Sequence, residues 1–126
     1  MSDEPIRVLC VDDSPELTRA WERYWRRQGD LLPVGSRDRA DHLVEAVRQT
    51  GAQVVVLDLT MAGRDPLDAL RELSFVAPHV RVIVCSGHSD PSVIASAMDA
   101  GAWRYVDKAD EPHLMLDAIR AAARGG

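Results

Sequence analysis

Four short apolar runs each end on a polar group, and that repeated pairing constrains this chain more than any other feature. Asp12-Asp13 follows IRVLCV, Asp58 follows AQVVVL, Ser86 follows VRVIVC, and Lys108 follows WRYVD. Runs of this length, rich in Val and Ile, are the pattern of parallel strands buried on both faces. In an open α/β sheet, ligands bind outside the carboxyl ends of the strands. Acids, a hydroxyl and a lysine at four such ends therefore describe one site, suited to a hard metal ion and a phosphoryl group.

Strand-like and helix-like segments alternate along the whole chain, as in a parallel sheet covered on both faces. Strands are expected at residues 6–11, 31–36, 53–57, 80–85 and 104–106. Ser14-Pro15, Asp65-Pro66 and Asp90-Pro91 each offer an N-cap oxygen followed by a proline at the first helical position. Gly29, Gly51 and Gly101 fall where helices should stop. Core faces are expected from Leu43 and Val47, from Leu67 and Leu70, from Ile94, Ala97 and Met98, and from Met115, Ile119 and Ala122.

The expected architecture is a single α/β domain over residues 1–126. It is a doubly wound, five-stranded parallel sheet in the flavodoxin-like order 2-1-3-4-5, a (βα)5 fold. In that order the crevice opens where strands 1 and 3 part. Strands 1 and 4 are then not neighbours, so Cys10 and Cys85 cannot bridge and serve as buried small hydrophobes.

The composition narrows the function. Hydrophobic residues make up 46% and charged residues 28%, as in soluble globular domains. A formal net charge of −5 argues against nucleic-acid binding as this domain's business. No apolar stretch approaches the roughly 20 residues of a membrane span. MSDEPIR lacks the pattern of a signal peptide, so a cytoplasmic location is expected. His42, His79 and His113 show no metal-ligand spacing.

Three carboxylates at Asp12, Asp13 and Asp58 would repel one another if left bare. Oxygen-only ligands select Mg²⁺, Mn²⁺ or Ca²⁺ over zinc, and Mg²⁺ favours one or two carboxylates plus a phosphate. A carboxylate is also a nucleophile toward phosphorus, giving an acyl phosphate. Lys108 would then pair with one phosphoryl oxygen while the Ser86 hydroxyl donates to another.

These segments resemble the receiver domain of two-component response regulators. VLCVDDSPEL resembles the acidic-pair strand and its turn, VVVLDLTMAG the strand carrying the phosphorylated aspartate, and VIVCSG and GAWRYVDK the hydroxyl and lysine segments. The resemblance implies Asp58 as phosphoacceptor and Mg²⁺ on Asp12, Asp13, Asp58 and the Thr60 carbonyl. It implies Ser86 and Tyr105 as switch residues, Lys108 as the phosphate-binding lysine, and Thr60 and His88 as tuners of phosphoryl lifetime. A plain core aromatic at Tyr105 and a solvated loop histidine at His88 are the alternatives. The implied partner is a sensor histidine kinase, with a homodimer or downstream protein receiving the signal. No membrane or nucleic-acid contact is implied for this domain, and no enzymatic activity beyond its own phosphotransfer and dephosphorylation. VDKADEPHLMLDAIRAAARGG is most similar to the NarL/LuxR type, which usually continues into a helix-turn-helix domain. Ala109 stands where many receivers carry a cis proline, and a trans bond is expected there.

The first helix, LTRAWERYWRRQG, is the least expected segment. Leu17, Trp21 and Tyr24 fit one core stripe, which places Trp25 about 100° off it among arginines. One reading is an aromatic stem at the helix edge; the other is a partner-docking surface at Trp25 and Arg26. Two rival functions stand beside phosphotransfer. One is a phosphorylation-independent docking or dimerisation module on the same fold. The other is an acid-nucleophile phosphatase of the haloacid dehalogenase type, which needs an acid where Thr60 stands.

Overall fold

Each apolar run becomes a parallel strand in the computed structural model, which describes residues 4–87 and 90–125. The order along the chain is β1 (Ile6–Val11), α1 (Pro15–Arg26), β2 (Leu31–Arg37), α2 (Leu43–Thr50), β3 (Val54–Asp58), α3 (Pro66–Val76), β4 (Arg81–Ser86), α4 (Pro91–Ala100), β5 (Arg104–Asp107) and α5 (Pro112–Ala123). The sheet order is β2-β1-β3-β4-β5, as expected. Alternate strand residues feed two cores. Leu9, Val11, Val55, Leu57, Val82 and Val84 pack under α2, α3 and α4. Val8, Cys10, Val54, Val56, Ile83 and Cys85 pack under α1 and α5. Burying both faces explains why the runs show no polar alternation.

Helix entries follow their caps. Leu17 N–H donates to Ser14 Oγ at 3.3 Å, Leu67 N–H to Asp65 Oδ1 at 2.9 Å, and Ser92 N–H to Asp90 Oδ1 at 2.9 Å. Gly51 and Gly101 end α2 and α4 in left-handed conformation, at φ +67° and +114°. A Cβ at Gly101 would also run into the Ser74 hydroxyl. Gly29 lies beyond the end of α1, which caps on Arg27.

Two expectations need correction, and one strand holds an irregularity that no expectation covered. The first helix is rotated: Thr18 and Trp25 are buried, and Trp25 is 0% exposed, whereas Leu17, Trp21 and Tyr24 are half-buried. Thr18 and Trp25 lie seven residues apart, two turns on one face, so they make the core-facing line. Thr18 joins it because its hydroxyl donates to the Ser14 carbonyl at 2.9 Å, which leaves its methyl free to pack. On α4 the buried positions are Ala97 and Ala100, and Met98 is 44% exposed. Finally, β2 carries an irregularity: Val8 pairs with Pro33 but Leu9 with Gly35, so Val34 is skipped. An edge strand tolerates both the proline and the bulge.

The cysteines behave as expected. Both are free and buried, with β3 between their strands. Burial, with the Asp12 charge behind it, pushes the Cys10 thiol up to about 12. Burial likewise pushes Cys85 up.

Candidate functional site

The topology gathers the polar strand ends on the crest of the sheet. Asp12 follows β1, Asp58 and Ser86 are the last residues of β3 and β4, and Lys108 follows β5. Asp58 is 1%, Ser86 2% and Asp12 5% exposed, whereas Asp13 faces solvent. Carboxylate oxygens of Asp12, Asp13 and Asp58 lie within 4.8 Å of one another. The donor set is oxygen-only, partly buried and open on the Asp13 side, which fits a hard divalent cation.

Backbone amides fix two of the acids. Ser14 N–H donates to Asp12 Oδ1 at 2.9 Å, and Thr60 N–H donates to Asp58 Oδ1 at 3.0 Å. Each acid thus spends one oxygen on its own turn and offers the other to the pocket. Lys108 takes that offer: its Nζ lies 2.9 Å from Asp12 Oδ2 and 3.2 Å from Asp58 Oδ2.

The electrostatics reflect this crowding. Burial raises the Asp58 carboxyl above the usual range; the Thr60 amide opposes it, the Asp12 charge adds to it, and Lys108 opposes it. Burial alone would lower the Lys108 ammonium, but hydrogen bonds and charge from Asp12 and Asp58 outweigh it and carry it upward. A pocket holding more negative than positive charge is poised for a further cation.

Ser86 and Tyr105 meet through the backbone. The Ser86 carbonyl accepts the Lys108 N–H at 3.0 Å and the Tyr105 hydroxyl at 3.5 Å. Tyr105 is half-buried and packs against the core under α2, α3 and α4. The Lys108–Ala109 bond is trans, as expected. Asp107 Oδ1 accepts the Ala109 N–H at 2.8 Å, so a side chain shapes this loop.

Asp12, Asp13, Asp58 and Lys108 are thus brought together, with the Thr60 amide touching Asp58 and Ser86 adjoining the lysine loop. Thr60 is exposed at the rim, and His88 lies outside the described residues. Trp25 is not at the surface, which corrects its expected docking role; Arg26 is exposed. The surface next to Lys108 is instead a shallow apolar groove of Leu17, Ala20, Trp21, Tyr24 and Pro112. The rotation of α1 hid it from the sequence. Also missed was Asp41, whose Oδ1 accepts the Arg64 N–H at 2.9 Å and ties the loop after β3 to the loop after β2. A contact spanning 23 residues leaves no local signal.

Fold and site together define a doubly wound α/β domain with an acid-and-lysine pocket at its topological switch point. A model of the response regulator receiver domain matches residues 8–120, and the chain belongs to that family, the receiver domains of two-component systems. It is similar to the uncharacterised transcriptional regulatory protein YxjL of Bacillus subtilis, 26% identical over 125 residues, covering 99% of this chain and 57% of that protein. The nitrate/nitrite response regulator NarP of Escherichia coli is 28% identical over 121 residues, covering 96% of this chain and 56% of its own length. This chain thus spans just over half the length of these curated relatives. A LuxR-family two-component response regulator from Aurantimonas sp. SI85-9A1 superposes with a TM-score of 0.89 at 27% identity, covering 97% of this chain and 87% of the other. The receiver domain of the putative response regulator NarL from Mycobacterium tuberculosis shares the fold, with a TM-score of 0.91 at 24% identity over 98% and 99% of the two chains.

Proposed function

We propose that Asp58 accepts a phosphoryl group from a phosphohistidine of a sensor histidine kinase. The observation that carries this reading is the Lys108 ammonium bridging Asp12 and Asp58 beside Asp13. A buried carboxylate with one oxygen held and the other turned to a cation is an oriented nucleophile. Its oxygen attacks phosphorus as the P–N bond to the donor imidazole breaks, and the imidazole leaves with the bonding pair. Lys108 then exchanges its carboxylate contacts for a phosphoryl oxygen.

The acid cluster fits Mg²⁺, with Asp12, Asp13, Asp58 and the Thr60 carbonyl as the residues that would hold it. When bound, the ion would neutralise charge on the transferring oxygens. Water later attacks phosphorus, breaking its bond to the Asp58 oxygen and releasing inorganic phosphate; Thr60, exposed at the rim, and His88 set how readily it does so. This self-limited phosphotransfer and dephosphorylation is the only catalysis proposed. The Ser86 hydroxyl donates to the new phosphoryl group and draws the end of β4 inward. Tyr105, tied to the Ser86 carbonyl, follows it and repacks the α4–β5–α5 surface for a homodimer or downstream protein.

Residues 1–126 are proposed to form one receiver domain that works in the cytoplasm. No helix of the described residues is long and apolar enough to cross a membrane. The groove at Leu17, Trp21 and Pro112 suits the kinase's phosphohistidine helix because it adjoins Lys108, and Arg26 lies on the same helix. In longer relatives the output is transcriptional regulation, and a DNA-binding domain following this one would give the same output here. A phosphorylation-independent docking role is not favoured, because such a role has no use for the pocket.

The test is labelling by acetyl phosphate, read as a mobility shift on a phosphate-affinity gel. The parent should label with Mg²⁺ and not with EDTA, and Asp58→Ala should not label. Equal labelling of Asp58→Ala would refute the assignment.

A further inference from the structure

A second cleft, of about 660 Å³, lies at the opposite end of the sheet from Asp58. Its basic side chains are Arg7, Arg48, His79 and Arg81, and among the described residues no carboxylate side chain lines it, although the chain carries a net charge of −5. Arg7 and Arg81 are half-buried. Arg7 Nε donates to the Gly51 carbonyl at 2.7 Å and Arg81 Nη2 to the Gly125 carbonyl at 3.4 Å. Among the described residues, none of the three guanidiniums is in a salt bridge, whereas Arg64, Arg71 and Arg120 each are. Half-buried guanidiniums held only by backbone carbonyls keep donors for an anion.

The register sets their spacing. Gln53 N–H donates to the Arg7 carbonyl, and Arg81 N–H donates to the Gln53 carbonyl. The backbones of Arg7 and Arg81 therefore flank β3 at one level, two strand spacings or about 10 Å apart. By strand alternation Arg7 faces the α2–α3 layer and Arg81 the α5 layer, so the cleft runs beneath the edge of the sheet. Basic side chains that reach one cleft from opposite faces of the sheet suit a ligand carrying charge along its length, as a diphosphate ester does, better than a single phosphate. Beside the charges, Val44, Val47 and Val76 form an apolar shelf, and the volume lies in the range of small-molecule sites.

We propose that this cleft binds a nucleoside diphosphate or a ligand of that class, with the diphosphate between Arg7, Arg48 and Arg81 and the base on the valines. The site is independent of phosphotransfer at Asp58, about 17 Å away along β3. Isothermal titration of the full chain with ADP in Mg²⁺-free buffer tests it. One-to-one binding is expected in both the parent and Asp58→Ala, with at least tenfold weaker binding in Arg81→Gln and in Arg48→Glu. Arg48 is exposed, and among the described residues its side chain forms no hydrogen bond or ion pair, so its variant should fold even if Arg81→Gln does not. Arg71→Gln, exposed on α3 and outside the lining of the cleft, should bind like the parent. Pyrophosphate should bind more weakly than ADP, and a hexaglutamate peptide more weakly still. The proposal is overturned if ADP gives no saturable heat at millimolar concentration, or if Arg48→Glu binds like the parent. It is equally overturned if Asp58→Ala abolishes binding or the peptide binds more tightly than ADP.

Discussion

Lys108 Nζ stands 3.2 Å from Asp58 Oδ2, so this buried acid already has a cation against the oxygen that its own turn leaves free. The same ammonium reaches Asp12 at 2.9 Å. Without a divalent ion, the lysine is the pocket's internal counter-charge.

Removing that counter-charge should destabilise the domain and make it depend on metal. Lys108→Gln is expected to lose about 2 kcal/mol in EDTA. That is less than the roughly 3–5 kcal/mol for breaking a fully buried pair, because the side chain is 27% exposed. Mg²⁺ should raise the urea midpoint of the variant more than that of the parent. An equal Mg²⁺ response in both would show that the lysine does not neutralise the acids.

Asp58 should be a liability to stability at neutral pH. Its folded-state pKa is raised, so the associated stability is fully present below the unfolded value of about 3.9 and is lost as pH rises through the folded value. Asp58→Asn should therefore melt higher than the parent at pH 7 in EDTA, by roughly 4 °C, the shift that about 1 kcal/mol produces. The gap should shrink toward pH 4. Thermal melts across pH 4.5–8 check it, and a gap that widens with acid would reverse the sign.

The two neighbouring tryptophans of α1 should separate folding from function. Trp25 is fully buried, so Trp25→Ala is expected to cost about 3–5 kcal/mol in urea. Trp21 is half-buried beside Lys108, and Trp21→Ala should cost about 1 kcal/mol, the scale of a lost aromatic pair. It should slow transfer from a phosphorylated kinase while leaving labelling by acetyl phosphate unchanged. If both donors slow alike, the groove is not a docking surface.

Asp30 and Arg120 form a bidentate pair at 2.7 and 3.0 Å, tying α5 to the loop before β2. The guanidinium hydrogen bond holds the Asp30 carboxyl below the usual range. Its stability is present above about pH 3.9 and is lost as pH falls through the lower folded value. Because the Asp30 side chain is 47% exposed, the pair should be worth less than about 1 kcal/mol. Arg120→Met should thus differ from the parent at pH 6, and the difference should shrink as pH falls below about 3.9. A constant difference down to pH 2.5 would mean the loss is packing alone.

Strand order and pocket were legible because their signals are local and chemical. A buried strand shows as an unbroken apolar run, and an acid or lysine at its end is visible in the same few residues. Asp-Pro and Ser-Pro pairs located three helices by the same kind of short-range logic. The face of α1 was not legible, because Leu17 and Tyr24 look more apolar than Thr18. Only the Thr18 hydroxyl's bond to the Ser14 carbonyl makes that side fit to bury. Met98 misled similarly: small alanines bring α4 close to its neighbours, and the longer side chain is left outside. The bulge at Val34 and the Asp41–Arg64 tie depend on partners distant in sequence, which no pattern within one segment encodes.

Trp21 and Trp25 stack at 5.6 Å between ring centroids with planes 18° apart, one indole sealed in the core and the other beside the groove. Indoles this close share their electronic excitation, so they absorb circularly polarised light as one coupled chromophore. The domain thereby carries an intrinsic optical gauge. Anything that seats on Trp21, or turns α1 against the sheet, will change the circular dichroism of the pair without a label.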